Sequence, residues 1–175
     1  MPTRDSRCSA GEDIEFVWAG NPVFTGATSF DRAVKAFSYA IMQVPDLQWE
    51  PQHLGITRRE FRDRIVRGSH GRLMPVTQVA EIDRAASEFV FEIKYDFPVV
   101  ELRDGVRSAG ELKSRFYISE PPALEDHFLG LHAHVKTTIP NDHTLENQIQ
   151  NVEIDVAIQY YDAGRGDQWG ISELL

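Results

Sequence analysis

The chain has one cysteine in 175 residues, Cys8, so no intrachain disulfide can form and nothing calls for an oxidising compartment. Long apolar runs are missing as well. The densest apolar neighbourhood, Ala36 to Val44, is broken by Ser38 and Gln43, far short of the roughly 18 consecutive apolar residues that a membrane span needs. The first residues, MPTRDSRC, carry charge with no apolar stretch behind them, which is not the pattern of a secretory signal. Positive charge is scarce: Lys+Arg 18 against Asp+Glu 27 gives a formal net charge of −9. That deficit works against nonspecific binding to nucleic acid, whose affinity comes from neutralising phosphates. It suits another protein with a basic surface. There is no P-loop, paired-cysteine zinc motif or calcium loop, and Gly164, Gly166 and Gly170 do not follow a strand and open a helix as a dinucleotide loop would. Ser69-His70 has no identifiable third member of a triad. The expectation is a cytoplasmic protein away from membranes.

What is present is ordinary for a folded domain: 42% hydrophobic and 26% charged residues, enough apolar content to bury a core. Residues 1–11 are polar and aperiodic and read as a disordered leader that includes Cys8. Residues 12–175 read as one domain with a turn-rich tail over 163–175.

Asp13 to Ala19 has β-branched and aromatic character and reads as a first strand. Phe30, Val34, Phe37 and Ile41 then recur at helical spacing behind Thr28, Ser29 and Asp31, which predicts a capped amphipathic helix ending near Gln43. A second helix is expected from Thr57, with Glu60 completing a capping box, to a stop at Gly68. The period then changes to two. Phe89 to Tyr95, Leu112 to Ile118, Leu129 to Val135 and Val152 to Ile158 alternate apolar with polar residues, while Pro98 interrupts and Val99 to Arg103 then ends at Asp104-Gly105, a hairpin signal. The pattern predicts an α+β fold: an antiparallel sheet of about five or six strands, two N-terminal helices on its apolar face, and a second face open to water.

On that wet face, His132 and His134 stand two apart on one strand, roughly 7 Å at Cβ. Glu153 and Asp155 stand two apart on what reads as the last strand. If those strands pair, the four residues supply a 2-His-carboxylate set for a divalent transition metal. Cross-strand charge pairing on a solvated face is the simpler account of the same residues. The second cluster is Arg58, Arg59, Arg62, Arg64, Arg67 and Arg72 against Glu60 and Asp63. Arg58 and Arg62 lie beside the buried direction set by Phe61 and Ile65, so each requires a partner, either an internal carboxylate or an external phosphate or carboxylate. In the tail, Trp169, Leu174 and Leu175 need a surface to dock on, their own domain or a partner.

Three functional readings follow. The first is a non-catalytic acidic protein that binds another protein, as an inhibitor, immunity or antitoxin-like factor or assembly component, with homo-oligomerisation left open. The second is a metal-dependent enzyme or metal-binding domain built on His132, His134, Glu153 and Asp155. The third is a module for a small acidic ligand, with Trp18, Phe37, Tyr39 and Trp49 lining an apolar pocket.

Overall fold

The computed structural model describes residues 4–174 of the chain, and the side chains of residues 4–171. Among these residues the fold is mixed α+β with a six-stranded, mostly antiparallel sheet. The strands are β1 (Glu15–Trp18), β2 (Leu47–Gln48), β3 (Val79–Glu81), β4 (Val90–Arg103), β5 (Val106–Ser119) and β6 (His127–Val135); the helices are α1 (Ser29–Met42), α2 (Pro51–Ser69) and α3 (His143–Arg165). The sheet order is β1-β6-β5-β4-β2, with β3 also pairing β4, and β1 runs parallel to β6. No helix here is long and apolar enough to cross a membrane.

The clearest local signals act as their chemistry dictates. Thr28 and Asp31 form a reciprocal capping box on α1, at 3.1 and 3.0 Å. Asp104 and Gly105 both take positive φ, 51° and 76°, as a two-residue hairpin turn demands. Pro98 does not interrupt β4. Lys94 and Leu102 donate their N–H groups away from β5, to Gln78 and Asp46, so the even-numbered Pro98 lacks an N–H on that same outer side. It falls between the residues of β4 paired with β3 and those paired with β2.

Two apolar clusters lie on opposite faces of the sheet. In one, Phe37 of α1 and Phe61 of α2 stack at 4.1 Å, and Phe61 meets Phe116 of β5 edge-on at 5.4 Å, in a cluster that includes Ile93, Tyr95 and Phe97. In the other, Ile154, Ala157 and Tyr161 of α3 cluster with Val90, Tyr117, Leu129 and Leu131. The sheet is thus covered on both sides.

The second cluster corrects the sequence reading. Residues 152–158 are helical, and two N-terminal helices are not the whole helical complement, because α3 is C-terminal. The alternation of Val152, Ile154, Val156 and Ile158 is coincidental to the buried stripe, which runs Glu146, Gln150, Glu153, Ile154, Ala157, Tyr161 at helical spacing. Its polar members weaken the apolar contrast, and Val152 is exposed. The start signal was Asp142, whose carboxylate accepts from the Leu145 N–H at 3.0 Å.

Three smaller corrections follow. Helix α2 starts at Pro51, six residues before Thr57, because proline's fixed φ and missing N–H suit a first helical turn; Thr57 is buried inside it. The leader is anchored: Ser6 donates to the buried Glu120 carboxylate at 2.5 Å, Arg7 N–H does so at 2.8 Å, and Cys8 sits at 0% exposure in the core. These ties span more than 110 residues of sequence, beyond any local pattern. In the tail, Trp169 docks on its own domain, donating to the Tyr161 carbonyl at 2.9 Å with the two rings 5.0 Å apart. The side chains of Leu174 and Leu175 lie outside the described residues.

Candidate functional site

The face under α3 carries most of the polar side chains of β4, β5 and β6. Cross-strand register places Glu92, Tyr117 and His132 in one row and Lys94, Arg115 and His134 in the next. A β-bulge in β6 beside Tyr117/Ile118 moves the register by one residue, so that Leu129 and His132 both face α3. The upper part of this face meets Ile154, Ala157 and Tyr161; the lower part meets Gln150 and Glu153.

His132 and Glu153 are the central pair. The His132 Nε2–H donates to Glu153 Oε2 at 2.6 Å, and both side chains are partly exposed. That hydrogen bond, together with the nearby imidazoles, holds the Glu153 carboxyl below its usual range although partial burial opposes the shift. Among the described residues the His132 Nδ1 has no hydrogen-bond partner, while the opposite nitrogen is fixed by a carboxylate.

Behind it, His134 is stacked on His132, the ring centres 6.2 Å apart and the planes 2° from parallel. His134 is buried, and desolvation, reinforced by His132 and Arg115, takes its pKa from 6.5 to about 4 against the pull of Glu153. It is therefore neutral at pH 7. A backbone hydrogen bond at Val135 engages its ring, and its Nε2 accepts the Tyr117 hydroxyl at 2.8 Å. Burial, with the Glu92 charge beside it, pushes the Tyr117 phenol up, so it stays protonated as the donor. The layer is closed by Arg115, which reaches Asp96 at 2.7 Å and Glu92 at 3.6 Å, and by the Gln150 amide, which donates to Glu92 at 3.3 Å. Buried polar groups are costly unless satisfied, and this network satisfies them.

The pair opens into a pocket. Strand β1 pairs only residues 127–130 of β6, leaving Leu131–Val135 with β5 on one side and, among the described residues, no strand on the other. A cavity of about 600 Å³ wraps this free end, lined by Tyr39 of α1, Val44 just beyond it, Leu112 and Lys113 of β5, Lys136, and the His132, His134 and Glu153 group. Apolar walls with a few convergent polar groups are the usual make-up of a small-molecule site.

Of the expected metal ligands, the structure brings together His132, His134 and Glu153, with Glu153 arriving on a helix. Asp155 is not among them: it pairs with Arg84 at 2.6 Å, because two residues along a helix turn a side chain to the far side, whereas two along a strand keep it on one face. Among the described residues no group of three or more His, Cys, Asp or Glu is placed to hold a metal ion; both Nε2 atoms are already engaged, by Glu153 and Tyr117. Sequence reasoning missed Tyr117, Lys113 and Lys136, which alternation alone marks as ordinary strand positions. Of the four aromatics expected to line a pocket, Tyr39 lines this one and Trp18, a core residue, borders a separate cavity; Phe37 is a core residue, and Trp49 packs on Phe97.

Among the described residues neither Arg58 nor Arg62 forms an ion pair within 4 Å, although, beside the Thr28 hydrogen bonds, the Arg62 charge helps to lower the Asp31 carboxyl. Arg58 Nε donates to Ser38 Oγ at 2.8 Å, and the Arg62 guanidinium sits 5.5 Å from the centre of the Phe30 ring. No protein-family model, curated protein or solved structure matches this chain.

Proposed function

We propose that this protein binds a small polar molecule in the pocket at the free end of β6, with His132 as the group that meets it. The observation that carries this reading is the 2.6 Å His132–Glu153 hydrogen bond at the mouth of a cavity of about 600 Å³. A carboxylate on one imidazole nitrogen fixes the ring's tautomer and raises the basicity of the other. The neutral His134 and its Tyr117 partner lie beside it, and Lys113 and Lys136 supply two positive charges to a lining that also carries Glu101 and Glu111. A ligand with an N–H or O–H donor and a carboxylate end satisfies both features, which favours the small acidic-ligand reading of the sequence. His132 is also positioned to accept a proton from such a ligand, so an acid–base reaction is compatible with the same geometry. The reading of an acidic protein that engages a basic partner rests on net charge, the lack of a catalytic motif and acids at exposed sheet positions, with no located surface, so the pocket reading is preferred.

Ligand-detected NMR with a panel of small carboxylic acids, hydroxy acids and neutral amides tests this. Fragment affinities on the order of 1 mM are sufficient for detection. At least one acid is expected to shift the His132 ring resonances in the native protein and to bind more weakly to His132→Gln. A panel in which no acid perturbs His132, Lys113 or Lys136 overturns the proposal.

A further inference from the structure

A second cavity, of about 530 Å³, lies between α1 and α2 on a different part of the molecule. It is lined by Lys35, Arg58, Arg59 and Arg62, with Asp31 as its one carboxylate and Gly26, Ala27 and Val34 as its neutral wall. Four cations on one groove are unexpected in a chain of net charge −9. Like charges repel, and proteins usually intersperse acids among them. Here Asp31 is committed to the N-cap of α1 through Thr28, and none of Arg58, Arg59 and Arg62 forms an ion pair among the described residues.

Arg58 and Arg62 are nevertheless held in place. Ser38, buried in α1, accepts from Arg58 Nε, and among the described residues the two terminal nitrogens of that guanidinium have no hydrogen-bond partner. The Phe30 ring supports the Arg62 plane. The Lys35 ammonium bonds the Thr25 carbonyl at the groove's edge. Pinned guanidinium forks with open N–H edges match tetrahedral oxyanions in bidentate fashion and lose little entropy on binding.

We infer that the groove formed by Lys35, Arg58, Arg59 and Arg62 is a binding site for a small molecule bearing a diphosphate or polyphosphate group. The number of cations favours a multiply charged anion over a single carboxylate. The confined volume and the acidic remainder of the protein favour a small molecule over a nucleic-acid backbone, which needs a longer positive track.

Isothermal titration with inorganic pyrophosphate at low salt is the direct test, with tripolyphosphate, acetate and a short single-stranded oligonucleotide as comparison arms. Pyrophosphate and tripolyphosphate are expected to bind, acetate not detectably, and the oligonucleotide more weakly than tripolyphosphate. Arg59→Gln and Lys35→Gln lie at exposed positions and are expected to keep the native melting temperature. Each should weaken pyrophosphate binding about tenfold, while Arg103→Gln on the distant hairpin should change nothing. No heat with pyrophosphate, equal binding of acetate, preference for the oligonucleotide, or binding unaffected by both groove variants would each overturn the assignment.

Discussion

Acidification is the perturbation whose effect the site predicts most sharply, through His134. The ring's ordinary pKa of 6.5 falls to about 4 in the fold, because burial disfavours the imidazolium. In the unfolded chain His134 takes up a proton as pH falls below 6.5; in the native protein it resists until about 4. The unfolded state therefore binds more protons between these values, and native stability falls as pH is lowered through the window. With 1.36 kcal/mol per pKa unit, the loss from this one group is about 2 kcal/mol between pH 7 and pH 5 and about 3 kcal/mol by pH 4. Carboxylates such as Glu153 lose stability in the same direction, since a depressed carboxyl pKa stabilises only while the group stays ionised. The contribution must therefore be isolated by difference. Urea unfolding at pH 7, 6, 5 and 4 of the native chain and of His134→Gln, whose amide oxygen can still accept from Tyr117, provides it. The variant is expected to be less stable at pH 7 and to approach the native chain as pH falls. Parallel stability curves, or a native His134 ring that titrates at or above about 6.5 by NMR, would refute the reasoning.

Other outcomes follow from single contacts. Phe61→Ala removes a fully buried ring that stacks on Phe37 and is expected to cost about 3–5 kcal/mol in chemical denaturation. Gly164→Ala ordinarily stabilises a helix, yet here a Cβ would run into the Trp169 ring, so a lower melting temperature is expected. Val152→Ala tests the helical assignment: the side chain is 61% exposed, so a better helix former should leave stability unchanged or raise it by about 0.5 kcal/mol, whereas a strand would lose stability. Cys8 is buried with its thiol pKa pushed up by desolvation and should react with Ellman's reagent only as fast as the protein opens.

How far the sequence reveals this molecule depends on the range of each signal. The cap of α1 at Thr28, the Asp104-Gly105 turn and the alternation through β4, β5 and β6 are local, and each is legible within a few residues. His132 and His134 stand out for the same reason. Helix α3 is not legible because its inward stripe carries Glu146, Gln150 and Glu153, the last two of which take part in the site, while β-branched residues occur at alternate positions by accident. That substitution of polar for apolar residues marks a functional position as much as it obscures the helix. The anchoring of Ser6, Arg7 and Cys8 by Glu120 and the parallel pairing of β1 with β6 depend on contacts more than 100 residues apart, which no periodicity records. Arg58 and Arg62 were recognisable as cations in need of partners, but the supports they find, Ser38 and Phe30, come from another helix.

The account stands or falls on whether α3 places Glu153 against His132. Long-range proton–nitrogen correlation NMR of the imidazole side chains reads this directly. The expected spectrum has the His132 proton on Nε2, a free Nδ1, and a contact from that Nε2 proton to the Glu153 side chain that disappears in Glu153→Gln. A His132 ring protonated on Nδ1 alone, with no contact to residues of α3, would contradict it.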